Sequence, residues 1–166
     1  MNIQDINLLY DYNYWANGKI MAAAAHVSPE QYTAPAAHSF GSLRGTLVHT
    51  MDAEYGWLSL WQSGTFAEEL PEVDFPTYDA MVTRWQEEEA AMRAYLADLD
   101  NEAIGGMLHY LTDTGEKRER VLWHCLVHVV NHGTQHRSEA AAILTGLGHS
   151  PGELDFTIFL NEKAQA

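Results

Sequence analysis

The chain has 166 residues, 46% of them apolar, with five Trp and eight Tyr. That is the profile of one globular domain over residues 1–166 with one core. Nine Lys and Arg against 23 Asp and Glu leave a net charge of −14, which sets aside nucleic acid and anionic membrane as partners, since both need a basic stripe. A single cysteine, Cys125, forbids an internal disulfide. The opening stretch lacks the basic, apolar and small-residue succession of a signal peptide. No apolar run approaches the roughly 18 residues of a membrane span, so the cytoplasm is the expected location.

The first helix is predicted from Ile3 to Ala25, where Ile6, Leu9, Tyr10, Asn13, Asn17, Ile20, Met21 and Ala24 recur at three- and four-residue steps. Asn13 and Asn17 fall on that inward face and should bond to other buried polar groups. Ser28-Pro29 ends the element. Ser42 is placed to cap a second helix that runs to about Trp61. One stripe of it holds Leu43, Leu47, Met51 and Leu58. Another holds Thr46, His49, Ala53, Gly56 and Leu60. The residues beside His49 are small, which leaves volume around its imidazole.

Ser63-Gly64 closes the second helix, and an acidic loop follows. Thr77 or Pro76 starts a third helix with Tyr78, Met81, Val82, Trp85, Met92, Leu96 and Leu99 inward. Glu87, Glu88 and Glu89 are expected on its wet face. Met107 to Val121 reads as two short extended pieces about the turn Asp113-Thr114-Gly115-Glu116, with Lys117, Arg118 and Arg120 in a solvated loop. A fourth helix runs from about Arg120 to Thr145 and stops at Gly146 and Gly148. Glu153 to Leu160 is apolar enough to dock back. The expected fold is all-α, a four-helix bundle with a short hairpin-like insert before the last long helix.

The fourth helix carries His124, His128, His132 and His136 at four-residue steps. Nine histidines would give about 0.5 such pairs by chance; three occur. Residues four apart stand roughly 6 Å apart on one face, so two imidazoles can meet one metal ion. Helical phase places His132 and His136 in the apolar stripe with Val121, Cys125, Val129, Ala140 and Ile143. His128 falls at its edge and His124 further round. Two core-facing imidazoles need polar partners, and a metal satisfies both.

Several chemistries fail on residue type. The segment His132-Gly133-Thr134-Gln135-His136 has glycine where a metalloprotease places its base. No Glu is followed three residues later by His, as di-iron bundles require. Cysteines are too few for a structural zinc site, and Cys125 reads as a small core residue. What survives is one divalent ion on His132, His136 and a third ligand, for which His49 is chosen. His26, His38, His109 and His149 lie in loops or at element ends. Imidazole sites take Zn, Ni, Cu and Fe, with Mn a further candidate. Three protein ligands leave a position for water or substrate.

Tyr10-Asp11-Tyr12-Asn13-Tyr14-Trp15-Ala16-Asn17, Leu47-Val48-His49 with Ala53-Glu54, and His128-Val129-Val130-Asn131-His132-Gly133-Thr134-Gln135-His136-Arg137 together resemble the DinB superfamily, the DinB/YfiT-like metalloenzymes. Gly148, Pro151, Leu154, Asp155 and Phe156 resemble its closing segment. The resemblance implies an up-down-down-up bundle, commonly a homodimer, with a divalent metal, Zn or Ni foremost, on His49, His132 and His136. It also implies thiol-dependent S-transfer between a small-molecule thiol and an electrophilic co-substrate. Hydrolysis and a stress-associated, non-enzymatic bundle with a structural metal are the alternatives. Ser138 and Glu139 replace the family's common Gly-Gln after His-Arg. Glu139 could orient a ligand, repel an anion or reach solvent.

Overall fold

The computed structural model describes residues 1–112 and 114–165. In chain order these form α1 (Ile3–Ala24), α2 (Pro29–Thr33), α3 (Leu43–Ser63), a 3-10 turn (Glu72–Asp74), α4 (Tyr78–Ala97), α5 (Asn101–Gly105), β1 (Met107–Leu111), β2 (Lys117–Val121), α6 (Leu122–Gly146) and α7 (Phe156–Lys163). The caps explain the boundaries. Asn2 and Asp5 form a capping box on α1, and Ser42 and Thr77 accept from Gly45 and Ala80 amides at the starts of α3 and α4. Gly64 ends α3 in the left-handed conformation, with φ of 82°.

Pairings between the long helices fix their directions. Tyr10 meets Leu126 and Asn17 meets Arg137, so α1 and α6 run parallel. His49 meets His136 while Trp57 meets His128, so α3 opposes α6. Glu54 meets Trp85 and Trp61 meets Tyr95, so α3 and α4 run parallel. Asp11 meets Arg93 and Met21 meets Tyr78, so α4 opposes α1. The order is up-down-down-up, with α6 between α1 and α3.

The core divides into two apolar clusters. One joins Tyr10 and Tyr14 to Leu58, Met92, Leu126 and Val130. The other joins Ile20, Leu47, Met51, Met81, Trp85 and Leu144. Complete burial of such side chains stabilises by about 1.5–3 kcal/mol each. Between the clusters lie Asn13, Asn17, Glu54 and Arg137, all nearly solvent-free. The asparagines thus find the buried partners their phase demanded.

Some expectations need correction. Helix α1 does stop before Ser28-Pro29, at Ala24, but the pair also opens an element: Ser28 and Gln31 form a capping box with Pro29 in the first turn of α2. Glu88 is not on a wet face but buried, with its carboxylate 2.6 Å from Arg84 Nε. Successive helical residues diverge by about 100°, so three adjacent glutamates cannot share one face. Lys117, Arg118 and Arg120 lie in strand β2, paired antiparallel to β1 with Tyr110 opposite Arg118. Arg120 therefore precedes α6, which starts at Leu122. Asp113, in the expected turn, lies outside the described residues. The apolar tail docks as α7, with Phe156 and Phe159 edge-on to Tyr12.

Candidate metal centre

Because α3 opposes α6, His49 faces two successive turns of the histidine ladder. One ring nitrogen from each of His49, His132 and His136 lies within 4.8 Å of the others. His49 Nε2 and His132 Nε2 are 3.1 Å apart. Nitrogens sharing an ion at about 2.0–2.1 Å in tetrahedral geometry stand roughly 3.3 Å from one another, so the trio fits one divalent ion. His136 is buried, whereas His49 and His132 are half-buried. His132 thus lies on the margin of the apolar stripe rather than within it. That margin gives the centre an open side.

The electrostatics favour neutral, ligating imidazoles. Burial, then the neighbouring His136, push His49 down to about 4. His132 is likewise pushed down to about 4, by burial first and then by His136, His49 and His128. Both therefore keep a free lone pair at neutral pH. Glu139 Oε2 lies 3.0 Å from His136 Nδ1, and Ser39 Oγ donates to Glu139 Oε1 at 2.9 Å. Burial raises the pKa of Glu139, but the hydrogen bonds from His136 and Ser39 outweigh it and the net direction is down. An ionised carboxylate there requires the His136 proton on Nδ1 and leaves Nε2 to ligate. Of the three roles open to Glu139 in the sequence, this hydrogen bond matches the orienting of His136.

Phe40 covers the centre. Its ring stacks on His49 at 3.7 Å between centroids and meets His136 edge-on at 5.2 Å. The loop carrying it lies so close to α3 that a Cβ on Gly45 would come within 2.2 Å of the Phe40 carbonyl oxygen. Only glycine at position 45 permits this approach.

The remaining histidines stay outside the centre. His128 is exposed and packs edge-on against Trp57, and exposed His124 lies against Trp123. His26 stacks on His149, exposed His109 pairs with Glu119, and His38 is exposed. Cys125 is buried, and burial holds its thiol above its ordinary value, as suits a core residue.

Sequence phase found Asn13 and Asn17 but missed their partners Glu54 and Arg137 in the polar layer beneath the centre. Arg137 Nη1 donates to the side-chain oxygens of both Asn13 and Asn17. Both amides in turn donate to Glu54 Oε1, at 2.8 and 3.2 Å, and Trp85 Nε1 donates to Glu54 Oε2 at 3.1 Å. A buried cation and a buried anion are thus joined through two amides. Burial raises Glu54 and lowers Arg137 from their ordinary values; the hydrogen bonds and opposite charges oppose both shifts. A Cβ at position 133 would lie 2.7 Å from Arg137 Nη1 and 2.9 Å from Asn13 Oδ1. That explains glycine directly after His132.

Beside His49, a cavity of about 350 Å³ reaches Asp52 and Glu69. These carboxylates also line a second cavity of about 380 Å³, walled by Trp57, Phe66 and Tyr110. The centre therefore adjoins space for a small molecule.

The chain is 25% identical over 157 residues to Protein DinB of Bacillus subtilis (strain 168), an alignment spanning 92% of this chain and 91% of that one. The DinB family model matches residues 1–165. A match over that span contains the His49, His132 and His136 cluster, the polar layer and the docked tail, and the chain belongs to the DinB family.

Proposed function

We propose that the protein is a divalent-metal-dependent enzyme that transfers a small thiol to an electrophile. One observation carries this: three ring nitrogens converge within 4.8 Å, at the margin of the fold, beside a cavity. A divalent ion bound there would supply Lewis acidity and keep a thiol in its thiolate form at neutral pH.

The chain's own residues divide the remaining work. His49, His132 and His136 hold the ion, and Glu139 keeps the His136 proton on Nδ1. Phe40 shields the imidazoles from water on one side. Asp52 lines the cavity with His49, and its carboxyl is raised from the ordinary value by burial, with the Leu70 amide opposing. It is a candidate proton acceptor. That same carboxylate supports a second reading, hydrolysis, in which water takes the thiol's place.

The test starts with metal content by mass spectrometry on untagged protein beside His49→Ala. About one ion per chain, lost in the variant, is expected. Loaded protein should then accelerate conjugation of a small thiol to monochlorobimane above the uncatalysed rate, and His49→Ala should not. Stoichiometric metal without acceleration removes the transferase reading. No metal after reloading with Zn or Ni removes the enzyme altogether and leaves a non-enzymatic bundle.

A further inference from the structure

The cavity beyond His49 has a composition that selects by charge. Residues His49, Asp52, Ala53, Gly56 and Trp57 follow at three- and four-residue offsets, so they share one face of α3. Ala53 and Gly56 are small and leave the floor of the cavity open. Above it, three aromatic rings stand nearly perpendicular to one another. Trp57 meets Phe66 at 5.3 Å and 77°, Trp57 meets Tyr110 at 5.7 Å and 71°, and Phe66 meets Tyr110 at 6.0 Å and 79°. A cation in the cavity within about 6 Å of a ring face left open there would be attracted by its quadrupole.

The charges agree. Asp52 and Glu69 line both cavities, and among the described residues no Lys or Arg lines either. The nearby guanidinium of Arg44 is paired with Glu72, 2.6 Å from Nε to Oε1. An anionic ligand would enter against two carboxylates with no cation to meet it. A cation would relieve their mutual repulsion and gain the aromatic faces. Phe66, at 38% exposure, is a large apolar ring left partly open at the wall, available to a ligand.

We infer that this cavity binds a small organic cation, an amine or quaternary ammonium group on a short apolar carrier. From His49 to Trp57 the helix rises about 12 Å. A ligand of roughly that length would seat its cationic end between Asp52, Glu69 and the rings and point its other end at the histidines. That orientation makes the cation part of the electrophilic substrate, and it rests on the metal-dependent reading above. The cation site itself does not.

The experiment is calorimetric titration of the full chain, metal-free and zinc-loaded, with benzyltrimethylammonium. Phenylacetate and benzyl alcohol serve as the anionic and neutral comparisons. The expected result is saturable binding of the cation with Kd of about 1 mM or tighter, and at least about tenfold weaker binding of the other two. Asp52→Asn with Glu69→Gln should weaken the cation about tenfold or more while benzyl alcohol is unchanged. Tyr110→Ala, on the hairpin and away from the core, should weaken it too. Equal affinity for phenylacetate or benzyl alcohol, or an unaltered Kd in the double variant, would overturn the inference. So would no saturable heat at all. Metal content measured on the same samples separates the failures. Metal bound without cation binding overturns the cation site alone; cation binding without metal upholds it and overturns the enzyme.

Discussion

Glu139 decides which nitrogen of His136 faces the centre, and a neutral substitute would decide it less firmly. Glu139→Gln should lower metal affinity about 10–100-fold, with the helix intact, because an amide can accept or donate and no longer dictates the tautomer. Chelator competition alongside circular dichroism reads both quantities, and unchanged affinity would count against the orienting role. Gly133 gives a second prediction. Gly133→Ala must push aside a guanidinium and an amide oxygen, 2.7 and 2.9 Å from the new carbon. A cost of about 1–3 kcal/mol in urea unfolding is expected, as for an overpacked core. The sequence already showed that glycine displaces the base of a metalloprotease. It could not show the reason, because Arg137 is held over Gly133 by Asn13, on a helix more than a hundred residues away.

At the scale of the element, α6 buries two faces because it packs between α1 and α3. One carries His132 and His136 toward α3. The other carries Leu126, Val130, Gly133 and Arg137 toward α1. A single stripe centred on His132 captured the first and put Arg137 out of phase. The histidine ladder was legible since equal spacing survives any choice of centre. The burial of an arginine was not, because only a cross-helix partner makes it affordable. Its signals were present nonetheless in Asn13, Asn17 and Glu54, polar residues set among apolar neighbours at helical spacing. Arg137→Met should cost about 3–5 kcal/mol, since it leaves Glu54 as a buried anion without its cation. Glu54→Gln in the same background should cost less than it does alone. Additive effects in the cycle would deny that the two charges act through the asparagines.

For the whole molecule, the tyrosines give the clearest pH dependence. Burial first, and the charge of Glu54 second, hold Tyr10 and Tyr14 well above their ordinary value of 10.0. Burial does the same to Tyr32. The unfolded chain gives up these protons near pH 10, whereas the folded chain keeps them. The folded state then binds more protons than the unfolded one, so stability is fully present below pH 10 and falls as the pH rises further. Cys125, raised from 9.0 by burial, adds a loss of the same sign beginning about one unit lower. Urea midpoints should hold steady to about pH 9 and decline toward pH 11. Tyr14→Phe should flatten the decline. It should also cost little at neutral pH, since the Tyr14 hydroxyl is buried with no hydrogen-bond partner among the described residues. A midpoint that does not move with alkali would refute the assignment.

The antiparallel strands before α6 add little to either apolar cluster, yet β1 supplies Tyr110 to the cavity wall. One wall of the inferred cation site is therefore carried on a segment whose sequence the four-helix core does not constrain. Substitutions, or changes of length, in this hairpin would alter what enters the cavity while folding proceeds as before. Descendants of one ancestral bundle could diverge in what they recognise through this hairpin alone, inheriting the histidines and the buried charges unchanged.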